Sequence, residues 1–210
     1  MDGDLPLDAF QQPGCKPRLH ELPVRDRDES ASCGFVVVEV ARSCFLEACA
    51  YLRDILCLDN GVAPLVVSHF PLSTSDERML PARVSWLRVT ATMDAQLQAL
   101  RNALVLPLEQ RGLACVDFAE FVVILANGGE ARLSQACGAT ASIACDRLFK
   151  KETSPAWVAA PRTSASLHFR ANPGFPMSDF DQAGRRSESL MAEDSLVVVS
   201  ANAWKGVASH

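Results

Sequence analysis

Short runs of apolar, mostly β-branched residues recur along this chain, separated by stretches with helical spacing. Phe35–Val40 and Pro64–Val67 are two such runs, and each is typical of a buried strand. Between them Phe45, Cys49 and Leu52 recur every three or four residues, which predicts a helix. A strand, a helix and a strand in this order favour an α/β fold. Each run is far shorter than the ~20 residues of a membrane helix, which excludes a membrane span.

The second half of the chain continues the alternation. Val84–Val89 alternates imperfectly between apolar and polar residues, which predicts a half-buried strand. The helical pattern that follows should end or kink at Pro107, because proline has no amide donor and clashes with the preceding turn. Phe121–Leu125 has the pattern of a buried strand.

A glycine turn and a long helix are predicted next. Asn127–Gly129 is the turn. The small and apolar residues beyond it predict a helix from Glu130 to about Lys150. Two further strands, Ser166–Arg170 and Leu196–Ser200, are predicted near the end of the sequence.

The sequence divides into three predicted parts. Residues 1–32 combine prolines with clustered charges and predict a disordered leader, because such a composition buries little apolar surface. Residues 33–82 predict a β-α-β module, and 83–205 a second domain. The net charge is −5, yet residues 83–170 carry ten basic and seven acidic side chains. This basic block is compatible with a surface that faces phosphate groups.

The eight cysteines bear on metal binding and on the cellular compartment. Their spacing contains no C-x-x-C pair and no Cys/His cluster, so the sequence predicts no metal and no cofactor. Cys49 and Cys137 fall on predicted helical stripes, where a thiol packs as a small apolar group. No signal peptide is visible in Met1–Phe10. Together these features predict a reducing, cytoplasmic location.

The order of predicted elements from Trp86 onward is strand, helix, strand, glycine turn, helix and two strands. This order resembles the Alba superfamily of small nucleic-acid-binding proteins. Val122–Ala136 carries the resemblance, since it is similar to that family's strand, Ala-x-Gly turn and Ala-rich helix, and Ile143–Lys151 fits the basic end of the helix. The resemblance implies an Alba-like βαβαββ domain whose last two strands lie antiparallel on the sheet that contains Phe121–Leu125. Such a domain would bind RNA, or DNA, without catalysis, either paired with a like or related domain or as part of a ribonucleoprotein. The acidic residues of 171–194 replace a normally basic arm and predict weak binding.

Seven residues are the predicted nucleic-acid contacts. The glycines would let backbone amides approach a phosphate at a helix start, and the arginines would neutralise phosphates. They are Arg88, Asn127, Gly128, Gly129, Arg132, Arg185 and Arg186. The same glycines also suit an ordinary tight turn and the same arginines a solvated surface. Trp86 is expected to pack in a core.

An enzyme is the first alternative. Pro64–Pro71 followed by Asp76–Arg78, with Val116–Val123 as a later strand, resembles the nucleoside deoxyribosyltransferase-like hydrolases. That resemblance implies an N-glycosidase with a carboxylate nucleophile on a helix after a glycine turn. Glu130 is the nearest carboxylate, and the position about one turn later has none. His69 would be a general base, although the sequence shows no partner for it.

A structural subunit of a larger assembly is the second alternative. The chain is acidic overall and its sequence shows no complete catalytic or metal motif. Residues 34–125 also permit a ferredoxin-like sheet, a fold that supports many unrelated functions.

Overall fold

A computed structural model of the chain describes residues 16–24, 33–57, 62–109, 116–152, 164–171, 176–191, 193 and 195–203. Strands and helices alternate along these residues, which confirms the predicted α/β class. The chain divides into two compact units, one of residues 1–99 with 128–132 and the other of residues 100–127 with 133–210. The division therefore does not fall at the predicted boundary, residue 83.

The first unit is built on a five-stranded sheet whose strands lie side by side in chain order. They are β1 (Arg18–Val24), β2 (Cys33–Val40), β3 (Val62–Ser68), β4 (Ser85–Arg88) and β5 (Gly129–Glu130). Strands β1 and β2 are antiparallel, whereas β2, β3, β4 and β5 are parallel to one another.

Strands β2 and β3 are made almost entirely of apolar side chains. Val37 and Val38 of β2 and Val66 and Val67 of β3 are fully buried. Adjacent residues of a strand point to opposite faces, so both faces of these strands are covered, as is usual in parallel sheets. The two strands contain the predicted runs Phe35–Val40 and Pro64–Val67 and confirm them.

Helix α1 (Phe45–Cys57) follows a short 3₁₀ turn, Arg42–Cys44, and joins β2 to β3. Its apolar stripe, which includes Cys49 and Leu52, lies in one core cluster with Val38 of β2. The predicted helix and the buried thiol of Cys49 are therefore confirmed.

Strand β1 lies inside the stretch 1–32, which the sequence predicts to be a disordered leader. Every residue of β1 is paired with β2, so the prediction is wrong for this segment. Leu22 and Val24 are buried while their neighbours are exposed. Strand β1 therefore buries the apolar side chains of one face, although the composition of residues 1–32 as a whole is polar. Residues 1–15 and 25–32 lie outside the described residues.

Two short helices connect the later strands. Helix α2 (Thr74–Met79) lies between β3 and β4, and α3 (Met93–Leu100) follows β4. After α3 the chain continues through a π turn, Arg101–Val105, into helix α4 (Leu106–Glu109). Pro107 thus lies within a helix that has a π turn just before it. The wider turn suits a proline, which has no amide to donate to the regular α-helical bond.

The second unit contains two parallel strands and several helices. They are α4, α5 (Phe118–Leu125), α6 (Ala141–Glu152), β6 (Ser164–Ala171), α7 (Met177–Ser189) and β7 (Leu196–Ala203). Strands β6 and β7 form their own two-stranded sheet. Cys145 and Phe149 of α6 and Ala183 of α7 form a core cluster against Phe169 of β6 and Val197 of β7.

The segment Phe121–Leu125 is helical, so the prediction of a buried strand there is wrong. Asp117 precedes α5 and accepts a hydrogen bond from the Glu120 amide, while the Glu120 side chain accepts one from the Asp117 amide. This reciprocal pair is a capping box, which satisfies amides that a helix start leaves unpaired. The capping box stabilises a helix over Phe118–Leu125, although the β-branched and aromatic residues of this segment are typical of strands.

The helix predicted from Glu130 to about Lys150 begins only at Ala141. Gly128 and Gly129 have positive φ angles, 71° and 81°. They lead into β5, whose Glu130 pairs with Trp86 of β4. Residues 131–140 are irregular. Cys137, predicted to be a buried thiol, is exposed in this segment.

Helix α6 starts beside Thr140 for a local reason. The Thr140 hydroxyl accepts a hydrogen bond from the Ile143 amide at 3.2 Å, as a helix-capping side chain does.

The last two strands occur where the sequence predicts them, but they are parallel rather than antiparallel. A parallel pair needs a long crossover, and the connection between β6 and β7 contains helix α7, which is not among the predicted elements. The elements after residue 83 therefore do not follow the expected order βαβαββ. None of the described helices combines the length and the apolar character needed to cross a bilayer.

Candidate active site at the carboxyl ends of the parallel strands

The carboxyl ends of β2, β3 and β4 lie at one edge of the first unit's sheet, because these strands are parallel and adjacent. Strand β1 runs the opposite way, so its first residue, Arg18, is also at this edge and pairs with Glu39 of β2. Ligands of open α/β sheets usually bind outside the carboxyl ends of the strands. We therefore expect a ligand or catalytic site of this unit to lie at this edge.

Glu39 is a buried carboxylate at this edge, with 6% of its surface exposed. One carboxylate oxygen, Oε2, lies 2.8 Å from Nε2 of His20. The other, Oε1, lies 2.7 Å from Nε2 of His69. Two partly exposed histidines thus share one buried carboxylate.

The sheet itself brings these three side chains together. Neighbouring residues in register share a face, and Glu39 pairs with Val67 of β3, two residues before His69. The His69 amide donates to the carbonyl of Val40 at 3.1 Å, which extends the ladder beyond the end of β3. His20 pairs with Val37 of β2 and so lies on the face that also holds Glu39.

Two opposing effects set the charge state of Glu39. Burial raises the pKa of this carboxyl, but the hydrogen bonds and positive charges of His20 and His69 outweigh it, and the net pKa is lowered. Glu39 is therefore ionised at neutral pH and can only accept hydrogen bonds. Both Nε2 atoms must then carry the protons of these two hydrogen bonds. The carboxylate fixes the tautomer of both rings.

A salt bridge and a ring contact hold the loop that follows His69. Arg42 donates to Oδ2 of Asp76 at 2.7 Å and to the carbonyl of Pro71 at 3.4 Å. Its guanidinium carbon lies 3.9 Å from the centre of the Phe70 ring. A backbone hydrogen bond from Ser73, followed by the bond from Arg42, lowers the pKa of Asp76 to about 2. Asp76 is therefore ionised at neutral pH, and its salt bridge with Arg42 holds the loop that follows His69.

Two of the four predicted contacts in the first unit, Arg88 and Arg132, lie at the same carboxyl edge, whereas Gly128 and Gly129 lie beside the start of β4. Arg88 is the exposed last residue of β4, and Arg132 follows β5, the neighbouring strand. Arg132 lies 3.5 Å from Glu130, which partly neutralises it. Gly128 and Gly129 precede a strand and not a helix, so the predicted phosphate site at a helix start is not formed there.

The other three predicted contacts belong to the second unit and are engaged with protein groups. Asn127 contacts the hydroxyl of Ser164 at the start of β6. Arg185 pairs with Asp181 at 3.0 Å within α7, and Arg186 pairs with Asp146 of α6 at 2.7 Å. These acidic partners reduce the positive charge that either arginine offers a phosphate.

The second unit has a polar pair of its own in the β6–β7 sheet. Nδ1 of His168 lies 2.8 Å from the hydroxyl of Ser200, the residue in register with it on β7. Nε2 of His168 is buried and has no hydrogen-bond partner among the described residues. Burial, followed by the nearby charge of Arg170, lowers the pKa of His168 to about 4. The ring is therefore neutral at pH 7.

Of the three residues Glu39, His20 and His69, the sequence predicts a functional role only for one. His69 was considered as a general base without a visible partner, whereas Glu39 and His20 were missed. The available signal was Glu39 itself, the one charged residue in the apolar run Phe35–Val40. A buried acid is rarely tolerated without partners, so its position indicates a nearby donor.

Among the described residues, no group of three His, Cys, Asp or Glu side chains is arranged to hold a metal ion. The first unit is thus an α/β sheet with a carboxylate–histidine group at its carboxyl edge. The chain matches no known protein-family model, and no curated protein matches it significantly.

Proposed function

We propose that the first unit is an enzyme module that performs acid–base catalysis at the carboxyl edge of its sheet. The observation that carries the proposal is the buried carboxylate of Glu39 shared by His20 and His69. Catalytic sites concentrate such perturbed, coupled ionisable groups, and carboxyl edges of α/β sheets are where they occur.

The shared carboxylate suits the two histidines for proton transfer. Ionised Glu39 accepts a hydrogen bond from the Nε2–H of each ring and so fixes the tautomer and orientation of the imidazole, as a carboxylate does behind a catalytic histidine. Two imidazoles on one carboxylate allow one ring to accept a proton from the reacting group and the other to donate one. General acid and general base are thereby available within one site.

Hydrolysis of an N-glycosidic bond is the reaction to test first. His69 follows the strand that carries the resemblance to nucleoside deoxyribosyltransferase-like hydrolases, and Glu39 supplies the partner that the sequence did not show. Glu130 is less suited to the role of nucleophile expected from that resemblance, because it lies in β5 and not on a helix. We therefore infer that water, activated by a histidine, is the attacking group.

The test is to incubate the protein with deoxynucleoside monophosphates and to measure free base by chromatography. We expect base release by the wild type and a loss of at least about a hundredfold in Glu39→Gln, the usual scale of general acid–base catalysis. Glu77→Gln, which changes an exposed acid of α2, is the matched control and should retain full activity.

Two results would contradict the proposal. The absence of base release by the wild type would rule out this reaction. Loss of activity in Glu130→Ala together with full activity in Glu39→Gln would assign the chemistry to a carboxylate nucleophile instead.

Nucleic-acid binding stays a second candidate, and one observation favours it. Arg88 and Arg132 lie at the ends of adjacent strands, and Arg88 forms no ion pair with any described residue. Trp86 is buried in the core, as predicted, and so offers no stacking surface for bases. The binding would depend on few phosphate contacts and would be weak at physiological salt.

Fluorescence anisotropy with single-stranded RNA and with duplex DNA at ~50 mM salt tests this candidate. If it is correct, Arg88→Ala weakens binding and lowers the slope of log K against log salt by about one. Arg83→Ala is the control, since Arg83 is exposed just before β4, at the opposite end of that strand. Equal weakening in both variants would indicate a non-specific charge effect, and no saturable binding at micromolar protein would reject the candidate.

Pairing with an Alba-like partner and a subunit role in an assembly stay predictions.

A further inference from the structure

Arg18 occupies a distinctive position beside the shared carboxylate. It is the first residue of β1 and pairs directly with Glu39 across the strands. Residues opposite each other in an antiparallel pair share a face, with Cβ atoms about 5 Å apart. Arg18 is therefore on the face of Glu39 and His20, and its side chain is exposed.

Arg18 makes no ion pair with Glu39, the acid opposite it. Both oxygens of Glu39 are occupied, one by His20 and one by His69. Arg18 forms no ion pair or hydrogen bond with any residue of the described ranges. A guanidinium is thus placed on the face of the two histidines, and no acidic side chain in the part of the chain that the structure describes pairs with it.

Arg42, another arginine close to the site, already binds groups of the protein. Arg42 is held by Asp76, by the Pro71 carbonyl and by the Phe70 ring. Its contacts fix the loop after His69 and leave it poorly placed to take a second anion. Arg18 is the better candidate for recognition, because a guanidinium presents two parallel N–H groups to two oxygens of one ligand.

We propose that Arg18 binds an anionic oxygen group of a small substrate, a phosphate monoester or a carboxylate, and thereby holds that substrate against His20 and His69. This inference rests on the proposed function for the site, and it adds the class of substrate. An anion held by Arg18 would lie on the face of the sheet that carries Glu39 and His20, whose carboxylate also bonds to His69. Arg88, which lies at the same edge, is in register with Ser68 and Val40 and so belongs to the opposite face of the sheet. On the face of Glu39, one guanidinium without an ion pair among the described residues matches one small anion better than a polyanion, which needs several phosphate contacts along its length.

Nuclear magnetic resonance of the histidine rings tests the proposal without any assumption about turnover. The chain has only four histidines, so the ring signals can be assigned with one substitution each. Inorganic phosphate and acetate are titrated separately into the full chain, with chloride at matched ionic strength as the reference. We expect saturable shifts of the His20 and His69 signals, while His168 of the second unit stays unchanged. The anion that binds more tightly identifies the substrate group.

Three variants assign the binding to Arg18. Arg18→Ala should weaken it by about tenfold or more, which corresponds to the loss of a charge-assisted hydrogen bond. Arg18→Lys, which keeps the charge but not the paired N–H groups, should recover only part of the affinity. Arg83→Ala should bind as the wild type does. In each variant without anion, the His20 ring signals should match those of the wild type, which verifies that the His20–Glu39 hydrogen bond is intact.

Three outcomes decide against the proposal. No saturable shift with either anion would overturn it, as would unchanged binding in Arg18→Ala. Tighter binding of single-stranded RNA that depends on Arg88 as well as Arg18 would assign the surface to nucleic acid. Anion binding that requires Arg18, in a protein without base release, would instead support the inference and refute only the tested reaction.

Discussion

Glu39 and His168 show how single ionisable residues are accommodated inside this protein. Glu39 keeps its charge because two histidines donate to its two oxygens. His168 has a hydroxyl neighbour, Ser200, and no acidic partner among the described residues, so it loses its charge instead. Burial disfavours the charged form in both cases, and the partners decide which form survives.

The lowered pKa of His168 predicts that stability falls as the solution becomes acidic. The unfolded chain takes up a proton near pH 6.5, whereas the folded chain does so only near pH 4. Stability from this group is present above pH 6.5 and is lost as the pH falls toward 4. Between pH 7 and pH 5 the wild type should lose up to about 2 kcal/mol through His168.

Urea unfolding at both pH values measures this effect. His168→Asn cannot titrate in this range and keeps a group that can bond to Ser200. The difference in unfolding free energy between pH 7 and pH 5 should be smaller in this variant than in the wild type. The same pH dependence in both proteins would show that His168 is not the responsible group.

At the scale of elements, local caps and turns override composition in this chain. The capping box of Asp117 and Glu120 makes a helix of Phe118–Leu125, although its residues favour a strand. Gly128 and Gly129 turn the chain into β5, where the Ala131 amide donates to the Trp86 carbonyl at 2.6 Å. A few residues at the ends of elements thus decide what the apolar residues between them become.

The two glycines of this turn predict different costs of substitution. A Cβ at Gly128 would lie 2.7 Å from the Ala82 carbonyl oxygen, whereas one at Gly129 would meet nothing within 4 Å. Both residues have positive φ, which costs a non-glycine residue about 1 kcal/mol. Gly129→Ala should lose only that amount, and Gly128→Ala about 2–4 kcal/mol because the backbone must also shift.

Urea unfolding curves of the two variants, compared with the wild type, give these free energies. Equal losses would mean that the close approach to Ala82 does not matter for the stability of the turn. Gly128→Ala should also disturb the pairing of β5 with β4, which hydrogen exchange at the Ala131 amide reports.

At the scale of the whole molecule, each compact unit is assembled from separate parts of the chain. The first unit contains residues 1–99 and also 128–132, which supply its fifth strand. The chain therefore leaves this unit after the fourth strand and returns to it for five residues. Such a path cannot be read from composition, since no linker marks the departure after Ala99, and the return coincides with the Asn127–Gly129 turn, whose residues suit any tight turn.

The sequence by itself determined the elements whose signal is local. The apolar runs of β2 and β3, the stripe of α1 and the positions of β6 and β7 could all be predicted, because burial imposes a period that a short window contains. Part of the turn chemistry could also be read, since Gly128 and Gly129 do form a turn.

Only the tertiary structure decided which distant residues meet. His20, Glu39 and His69 come from three strands and lie together because those strands are adjacent and in a fixed register. The parallel direction of β6 and β7 likewise depends on the whole crossover between them. Strand order, direction and register are set by contacts between residues far apart in the chain, which no local pattern encodes.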